Sequence, residues 1–150
     1  MVSSRAITCF AATLLLGSMT GCSDQLPTYP VAGKVLFTTG GPVHVGTVEL
    51  KSRDHGVQAR GQIQSDGSFT LTTYQDGDGA VAGVHDCVVV QFVMTEDIAG
   101  HRPSNIGVVN RRYASYSTSG LTLDISPDQT NEVIVEVEGV LAKQPENHGH

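Results

Sequence analysis

Apolar and polar residues alternate with a period of two through most of the chain after residue 30. The clearest case is the segment 62–74, where Ile63, Phe69 and Leu71 alternate with glutamines and threonines on either side of Ser-Asp-Gly-Ser at 65–68. This alternation gives a strand one buried face and one solvent face. Because Asp-Gly supplies the positive φ angles that tight turns require, the segment predicts a β-hairpin.

The same pattern predicts strands elsewhere in the chain. Their ranges, with the two hairpin arms included, are 31–38, 45–51, 59–64, 68–74, 85–94, 121–125 and 132–138. Apolar residues on both faces of 85–94 indicate a central strand that is covered at least partly on both sides. The last strand carries Glu132, Glu136 and Glu138 on its outer face, where charges discourage edge-to-edge pairing.

Helical periodicity with capping signals does not occur after residue 22. About seven strands, with turn signals every ~10 residues, predict an all-β fold that forms a single antiparallel β-sandwich. The segment 95–120 is long and mostly polar, and we expect an irregular excursion with one short strand near 106–109.

The first 22 residues follow a different pattern. Arg5 is their only charge, and the apolar run at 6–16 is shorter than the ~20 residues of a membrane span but typical of a signal-peptide core. The run is followed by Met-Thr-Gly-Cys, which ends at Cys22. This arrangement resembles a bacterial lipoprotein signal with Met where Leu is usual, and the resemblance implies that Cys22 becomes the lipidated first residue of the mature protein. An ordinary secretory signal with an incidental cysteine is the alternative.

Lipidation would make a membrane the first partner of the protein and the cell envelope its location. Two or more acyl chains, at ~0.8 kcal/mol per buried CH₂ group, hold a protein on a membrane surface. Ser23 follows the cysteine, rather than the Asp that marks inner-membrane retention in some bacteria, which slightly favours the outer membrane. The expected organisation is a signal peptide at 1–21, a tether at 22–30, the sandwich at 31–139 and a polar tail at 140–150.

The charge balance argues against nucleic acid as a partner. The chain has 9 Lys and Arg against 15 Asp and Glu, a net charge of −6. Loss of residues 1–21 would remove Arg5 alone, so 8 basic residues would face 15 acidic ones and the net charge would be −7. A phosphate backbone needs a basic patch, and the sequence has none.

Cysteine usage predicts a sandwich without disulfide support. Of the 3 cysteines, Cys9 would leave with the signal peptide and Cys22 would carry lipid. Cys87 lies in an apolar run, which predicts a small buried core residue. A reactive thiol or an intermolecular disulfide is the alternative.

Several short motifs occur in a characteristic order. They are Val-Ala-Gly-Lys-Val at 31–35, Gly-Pro-Val at 41–43, Gly-Thr-Val at 46–48, Ser-Asp-Gly-Ser-Phe at 65–69, and Gly83 before the long strand. Together they resemble the carboxypeptidase-regulatory-like, or transthyretin-like (prealbumin-like), sandwich modules, and most closely the small bacterial lipoproteins of that class. In these lipoproteins, a similar Tyr-Pro-Val opening, here at 29–31, follows the lipidated cysteine, and a segment like 113–122 precedes the last two strands.

The resemblance covers about residues 29–138 and implies a fold rather than a reaction. The family has no shared catalytic set, and its modules usually serve in binding, adhesion or structural support. One departure is Gly83-Val84-His85, where the family usually has Gly-Xaa-Tyr. The hydroxyisourate hydrolases share the transthyretin-like fold, but their C-terminal Tyr-Arg-Gly-Ser signature is absent here.

The chain offers little that resembles catalytic or metal chemistry, and we predict neither an enzyme nor a cofactor. No Gly-Xaa-Ser-Xaa-Gly elbow follows residue 22, and His85 and Asp86 are adjacent on a strand, so they point to opposite faces. Asp76 and Asp78 lie on a glycine-rich loop and are weak candidates for Ca²⁺ ligands. A turn that favours Asp and Gly for backbone reasons is the preferred interpretation.

The best candidate contact surface in the sequence combines Arg111, Arg112, Tyr113 and Tyr116, since Arg and Tyr often anchor interfaces. The preferred alternative is that Tyr113 packs inward to hold a long loop while Arg112 pairs with a surface acid. At the level of function, the sequence predicts a lipid-anchored protein with a non-catalytic binding or structural role and an envelope protein or glycan as partner. The alternative is a carbohydrate- or peptide-binding module that acts through the loops at 75–83 and 95–120.

Overall fold

The computed structural model describes residues 25–91 and 107–140. The predicted signal peptide, Cys22, the first part of the 95–120 excursion and the tail from residue 141 lie outside these ranges. No helix in the described ranges is long and apolar enough to cross a membrane.

The described residues form nine strands in three sheets. The strands are β1 (Thr28–Tyr29), β2 (Val31–Phe37), β3 (Gly46–Ser52), β4 (Gln58–Ile63), β5 (Ser68–Thr70), β6 (Ala80–Val81), β7 (Gly83–Val90), β8 (Leu121–Ile125) and β9 (Asn131–Val137). Their order is β4-β3-β7-β8 in the larger sheet, β5-β2-β9 in the second sheet, and β1-β6 in a small third sheet. A 3₁₀ helix (Arg111–Ala114) and the single-turn helix α1 (Tyr116–Ser119) are the helical elements of this part of the chain. The prediction of an all-β fold is confirmed, while the transthyretin-like label stays a prediction.

One strand pair differs from the all-antiparallel expectation. β2 and β9 run parallel, from Val31 opposite Asn131 to Phe37 opposite Val137, whereas the other pairs of named strands are antiparallel. Parallel neighbours need a long connection between them, and here that connection is almost the entire domain. Period-two alternation reads the same in both directions, so the sequence pattern carries no signal for this pairing.

The two main sheets enclose one apolar core. Val35 of β2 and Val48 and Leu50 of β3 are fully buried members of the same cluster, which draws on both sheets. Their polar neighbours in sequence lie on the outer faces, as the alternation predicts. The sandwich begins at Thr28 rather than at residue 31, because Thr28 and Tyr29 pair with Val81 and Ala80.

Two titratable residues lie inside this core on β7. Cys87 is fully buried, which confirms the core interpretation, and burial raises the pKa of its thiol to about 12. His85 is also buried, so its side chain takes an inward position on β7. Burial lowers the pKa of His85, and its Nδ1 lies 2.9 Å from the Gly83 carbonyl oxygen.

The predicted hairpin forms its turn where expected, but its arms belong to different sheets. The Gln64 N–H donates to the Ser68 carbonyl at 2.8 Å, and Gly67 has the positive φ of 81° that Asp-Gly was expected to supply. Beyond the turn, β4 pairs with β3 while β5 pairs with β2. The predicted hairpin is therefore confirmed at its turn, while its arms pair with different sheets and join them at one side of the sandwich.

The strand directions divide the loops between two ends of the sandwich. Residues 25–30, the loop at 53–57 and the loop at 71–79 lie at the end where β2 begins and β3 finishes. The turns at 38–45 and 64–67 lie at the opposite end. The chain therefore enters the fold at one end, which we call the entry end.

Candidate functional site

One concave feature of the described residues is a groove of about 810 Å³ along the β4–β5 hairpin, which we call the hairpin groove. Its rim is polar and comes from alternate residues of the two arms and from the following loop: Arg60, Gln62, Gln64, Ser68, Thr70, Thr72 and Asp76. Ala32 and Gly33 of β2 also line it. The alternation that sends Ile63 and Phe69 into the core is what brings these polar side chains together outside it.

The groove exists because the hairpin is bonded at both ends and open in the middle. Arg60 and Thr72 exchange two backbone hydrogen bonds of 2.9 Å, and the Gln64 N–H donates to the Ser68 carbonyl at the turn. Between these points, the described pairings contain no ladder between Gln62 and Thr70. The Gln64 Nε2 lies 3.4 Å from the Gln62 carbonyl oxygen, which makes a long hydrogen bond along the first arm beside the opening.

A glycine allows the two arms to cross closely beneath this opening. A Cβ atom on Gly61 would lie 2.4 Å from the Thr70 carbonyl oxygen. Such a distance is far inside van der Waals contact, so only glycine fits here without movement. The two arms cross here instead of forming a flat hydrogen-bonded ladder. The alternation of apolar and polar residues carries no signal for such a crossing, so it did not predict the groove.

The loop that ends the groove is held internally by Asp78. Its Oδ1 accepts a hydrogen bond from the Thr73 N–H at 2.6 Å, and its Oδ2 accepts from the Tyr74 and Gln75 N–H groups at 2.9 and 3.0 Å. Burial raises the pKa of Asp78, but these donors outweigh it and the net pKa is lowered.

The two weak Ca²⁺ candidates of the sequence, Asp76 and Asp78, have different surroundings in this loop. Asp78 is surrounded by N–H donors, whose positive ends disfavour a cation, and the described residues contain no group of three or more His, Cys, Asp or Glu placed to hold a metal. Asp76 is exposed on the groove rim instead. Asp78 therefore acts as an organiser of the turn, in line with the preferred interpretation.

Beside the groove, Glu49 is the centre of a polar network on the outer face of the larger sheet. Its Oε2 accepts from Arg60 Nε at 2.9 Å and its Oε1 accepts from the Tyr116 hydroxyl at 2.8 Å. Lys51 Nζ lies 6.0 Å from the centre of the Tyr116 ring, which is within cation–π range. Burial raises the pKa of Glu49, but the Tyr116 and Arg60 hydrogen bonds more than offset this and lower it. Burial and the bond to Glu49 both raise the pKa of Tyr116.

The predicted contact surface of arginines and tyrosines does not form as one patch. Tyr113 is 3% exposed, and its hydroxyl accepts hydrogen bonds from the Glu138 N–H and the Arg112 guanidinium. Arg112 also lies 3.5 Å from the Glu138 carboxylate. This geometry fits the alternative in which Tyr113 packs inward and Arg112 pairs with an acid. Arg111 is exposed, whereas Tyr116 points to Glu49 on another side of the domain.

The second half of the long excursion is ordered by specific hydrogen bonds, so the expectation of irregular structure is wrong for 107–120. Residues 108–110 pair with 138–140 through an isolated bridge between Val109 and Gly139, so the short strand expected near 106–109 appears in the described residues only as this bridge. The side chain of Asn110 caps the 3₁₀ helix and that of Ser115 caps α1. These capping residues are the signal in the sequence that could have identified the two short helices.

Among protein families, curated proteins and solved structures, none matches this chain.

Proposed function

We propose that the chain is a lipid-anchored protein of the cell envelope whose sandwich is non-catalytic and has a binding or structural role. The observation that carries the proposal is the N-terminal sequence, in which one positive charge and an apolar run lead to small residues before Cys22. The charge count also supports the proposal, because an acidic domain without a basic patch is not expected to bind nucleic acid.

The start of the fold supports an anchor at this position. Thr28 is already paired with Val81, so only residues 23–27 separate Cys22 from the first strand. At ~3.5 Å per extended residue, this tether reaches at most about 20 Å. The lipid would therefore hold the entry end of the sandwich against the headgroups, with the turns at 38–45 and 64–67 on the side away from the membrane.

The polar groups with shifted pKa values support a non-catalytic role. Asp78 holds a loop, His85 is buried in the core, and Glu49 joins Arg60 to Tyr116. Each shift is explained by a structural contact, so these groups have no feature that requires a reaction.

The anchor is tested by comparing two cysteine variants in the bacterium that makes the protein. We expect wild type and Cys9→Ala to appear in the membrane fraction with a lipid-sized increase in the intact mass of the mature chain. Cys22→Ala should lose both, because no thiol would remain at the processing site. An unlipidated mature wild-type chain in the soluble fraction would overturn the proposal.

A second candidate function is a ligand-binding module for a carbohydrate or peptide, and the hairpin groove favours it. Asp76 on the groove rim belongs to the loop at 75–83 that the sequence suggested for this role. The remaining polar rim residues are Thr72, Gln64 of the hairpin turn and residues of β4 and β5. The test of this function is the binding experiment described below, which is independent of the lipid anchor.

A further inference from the structure

We infer that the hairpin groove is a binding site for a short neutral carbohydrate chain that lies along β4. This inference deepens the binding role proposed above and rests on it. Its starting point is the combination of a concave surface of about 810 Å³ and a rim of amide and hydroxyl side chains.

The rim residues have the hydrogen-bonding chemistry that sugar hydroxyls require. Gln62 and Gln64 each carry a carbonyl acceptor and an amide donor, and Thr70 carries a hydroxyl that can do both. A sugar hydroxyl is likewise both donor and acceptor, so each of these side chains can form a hydrogen bond with it in more than one orientation. Gln62, Gln64 and Thr70 are exposed at the groove rim.

The spacing of the rim residues suits an extended chain. Arg60, Gln62 and Gln64 are alternate positions on the same outer side of β4 and the residues that follow it. Alternate residues of a strand are about 6.6–6.8 Å apart, so the three span roughly 13 Å along the groove. A linear oligosaccharide would contact them in succession, whereas a single small sugar would meet only part of the rim.

The charges favour a neutral ligand over an acidic one. Arg60 is the one cation on the rim, and its guanidinium is already paired with Glu49. Asp76 adds a negative charge at the other end, and the whole chain has a net charge of −6. An anionic polymer would meet a repulsive field with no unpaired cation on the rim to offset it.

A peptide fits this groove less well for two reasons. Strand addition needs a run of free backbone groups along an edge, but the outward groups of Arg60 are bonded to Thr72 and the Gln64 N–H to Ser68. Peptide sites also offer apolar pockets for alternate side chains. Phe69 lines this groove but is only 3% exposed, so it presents little apolar surface to a peptide side chain. The groove therefore presents polar contacts without the two features that select a peptide.

The test measures binding of the full mature protein, purified in detergent micelles from the bacterium that makes it, by calorimetry. The probes are neutral oligosaccharides made of β-1,4-glucan, β-1,3-glucan, α-1,4-glucan and mannan, with extended neutral peptides as competitors. We expect at least one oligosaccharide series to bind, and a Gln62→Ala/Gln64→Ala variant to bind it at least about tenfold more weakly, since two hydrogen bonds are lost.

The matched control is Gln58→Ala, because Gln58 is exposed on the same face of β4 but lies outside the groove rim. Its affinity should stay within about twofold of wild type.

Thr70→Val keeps the shape of the side chain and removes one hydroxyl, so it provides a second test of binding if the Gln62→Ala/Gln64→Ala variant is unstable. It should weaken binding several-fold with an unchanged unfolding midpoint.

Three outcomes would overturn the inference: no binding by any oligosaccharide, equal loss in the Gln58 and Gln62/Gln64 variants, or binding of the peptides alone. The third outcome would leave a binding role intact and reassign the ligand. An unlipidated wild-type chain in the Cys22 experiment would instead refute the anchor alone, because the calorimetric measurement reads the groove directly.

Discussion

The β4–β5 hairpin and the segment 107–120 use their polar residues in opposite ways. In the hairpin, the rim side chains Gln62 and Thr70 are exposed around an opening in the backbone ladder. In the segment 107–120, polar groups make hydrogen bonds within the fold. The Ser119 hydroxyl donates to the Cys87 carbonyl at 2.6 Å, and the Tyr113 hydroxyl accepts from the Glu138 N–H. The segment 107–120 therefore contains polar side chains that stabilise the fold, whereas the hairpin contains polar side chains that are accessible to a ligand.

This difference matters because residue type and exposed concave surface point to different regions. Arg and Tyr are the usual anchors of interfaces, and the segment 107–120 contains two of each. Its most prominent pair, Arg112 and Tyr113, is engaged with Glu138. The glutamines and threonines of the hairpin are less distinctive in sequence, yet they line a concave surface of the described residues.

The largest expected effect tests whether Tyr113 is part of the core. Tyr113→Ala would remove a buried aromatic ring, so the free energy of unfolding should fall by about 3–5 kcal/mol. Tyr74→Ala is the control, since Tyr74 is 36% exposed and should cost under about 1 kcal/mol. Urea unfolding followed by circular dichroism measures both. Similar losses in the two variants would mean that Tyr113 does not hold the segment 107–120 in place.

The next effect tests the close crossing beneath the hairpin groove. Gly61→Ala would force the added Cβ against the Thr70 carbonyl, and we expect a loss of about 1–3 kcal/mol together with weaker ligand binding. Gly139→Ala is the control from the other region, because its Cβ would lie 3.5 Å from the nearest atom, the Val108 carbonyl oxygen. It should stay within about 0.5 kcal/mol of wild type. A stable Gly61→Ala variant with unchanged binding would contradict the close crossing.

The two regions also differ in how far the sequence predicted them. Alternation placed Val48, Leu50, Ile63 and Phe69 in the core correctly, since a period of two requires only that one face be buried. It did not predict the opening between Gln62 and Thr70, because that opening depends on which sheet each arm joins. Sheet membership is set by contacts between residues distant in sequence, and local pattern does not encode them.

For the segment 107–120, the missing information was the partner of each polar group. The caps at Asn110 and Ser115 are local and could be read from the sequence. The contact of Tyr113 with Glu138 joins residues 25 positions apart, so the sequence could only offer packing and exposure as alternatives. In the folded protein the Tyr113 ring is buried, so the packing alternative is the one that forms.

Glu49 is the residue at which the two regions meet, and it gives the smallest and most specific expected effect. It accepts hydrogen bonds from Arg60 of the hairpin and from Tyr116 of α1. Tyr116→Phe keeps the ring but removes the second donor, so the lowered pKa of Glu49 should move up towards its ordinary value of 4.5. Nuclear magnetic resonance titration of the Glu49 side chain measures this shift directly.

The same change predicts a small and pH-dependent loss of stability. A carboxyl whose pKa is lower in the folded state stabilises the fold above its unfolded pKa, and this contribution disappears as the pH falls through the folded pKa. The difference between wild type and Tyr116→Phe should therefore be present at neutral pH, at no more than about 1 kcal/mol, and shrink below pH ~4. Arg60→Gln would give the matching test from the hairpin side, since it removes the other donor to Glu49. A Glu49 pKa that responds to Arg60→Gln but not to Tyr116→Phe would show that α1 does not engage the hairpin side of the sheet in solution, and that the two regions are independent.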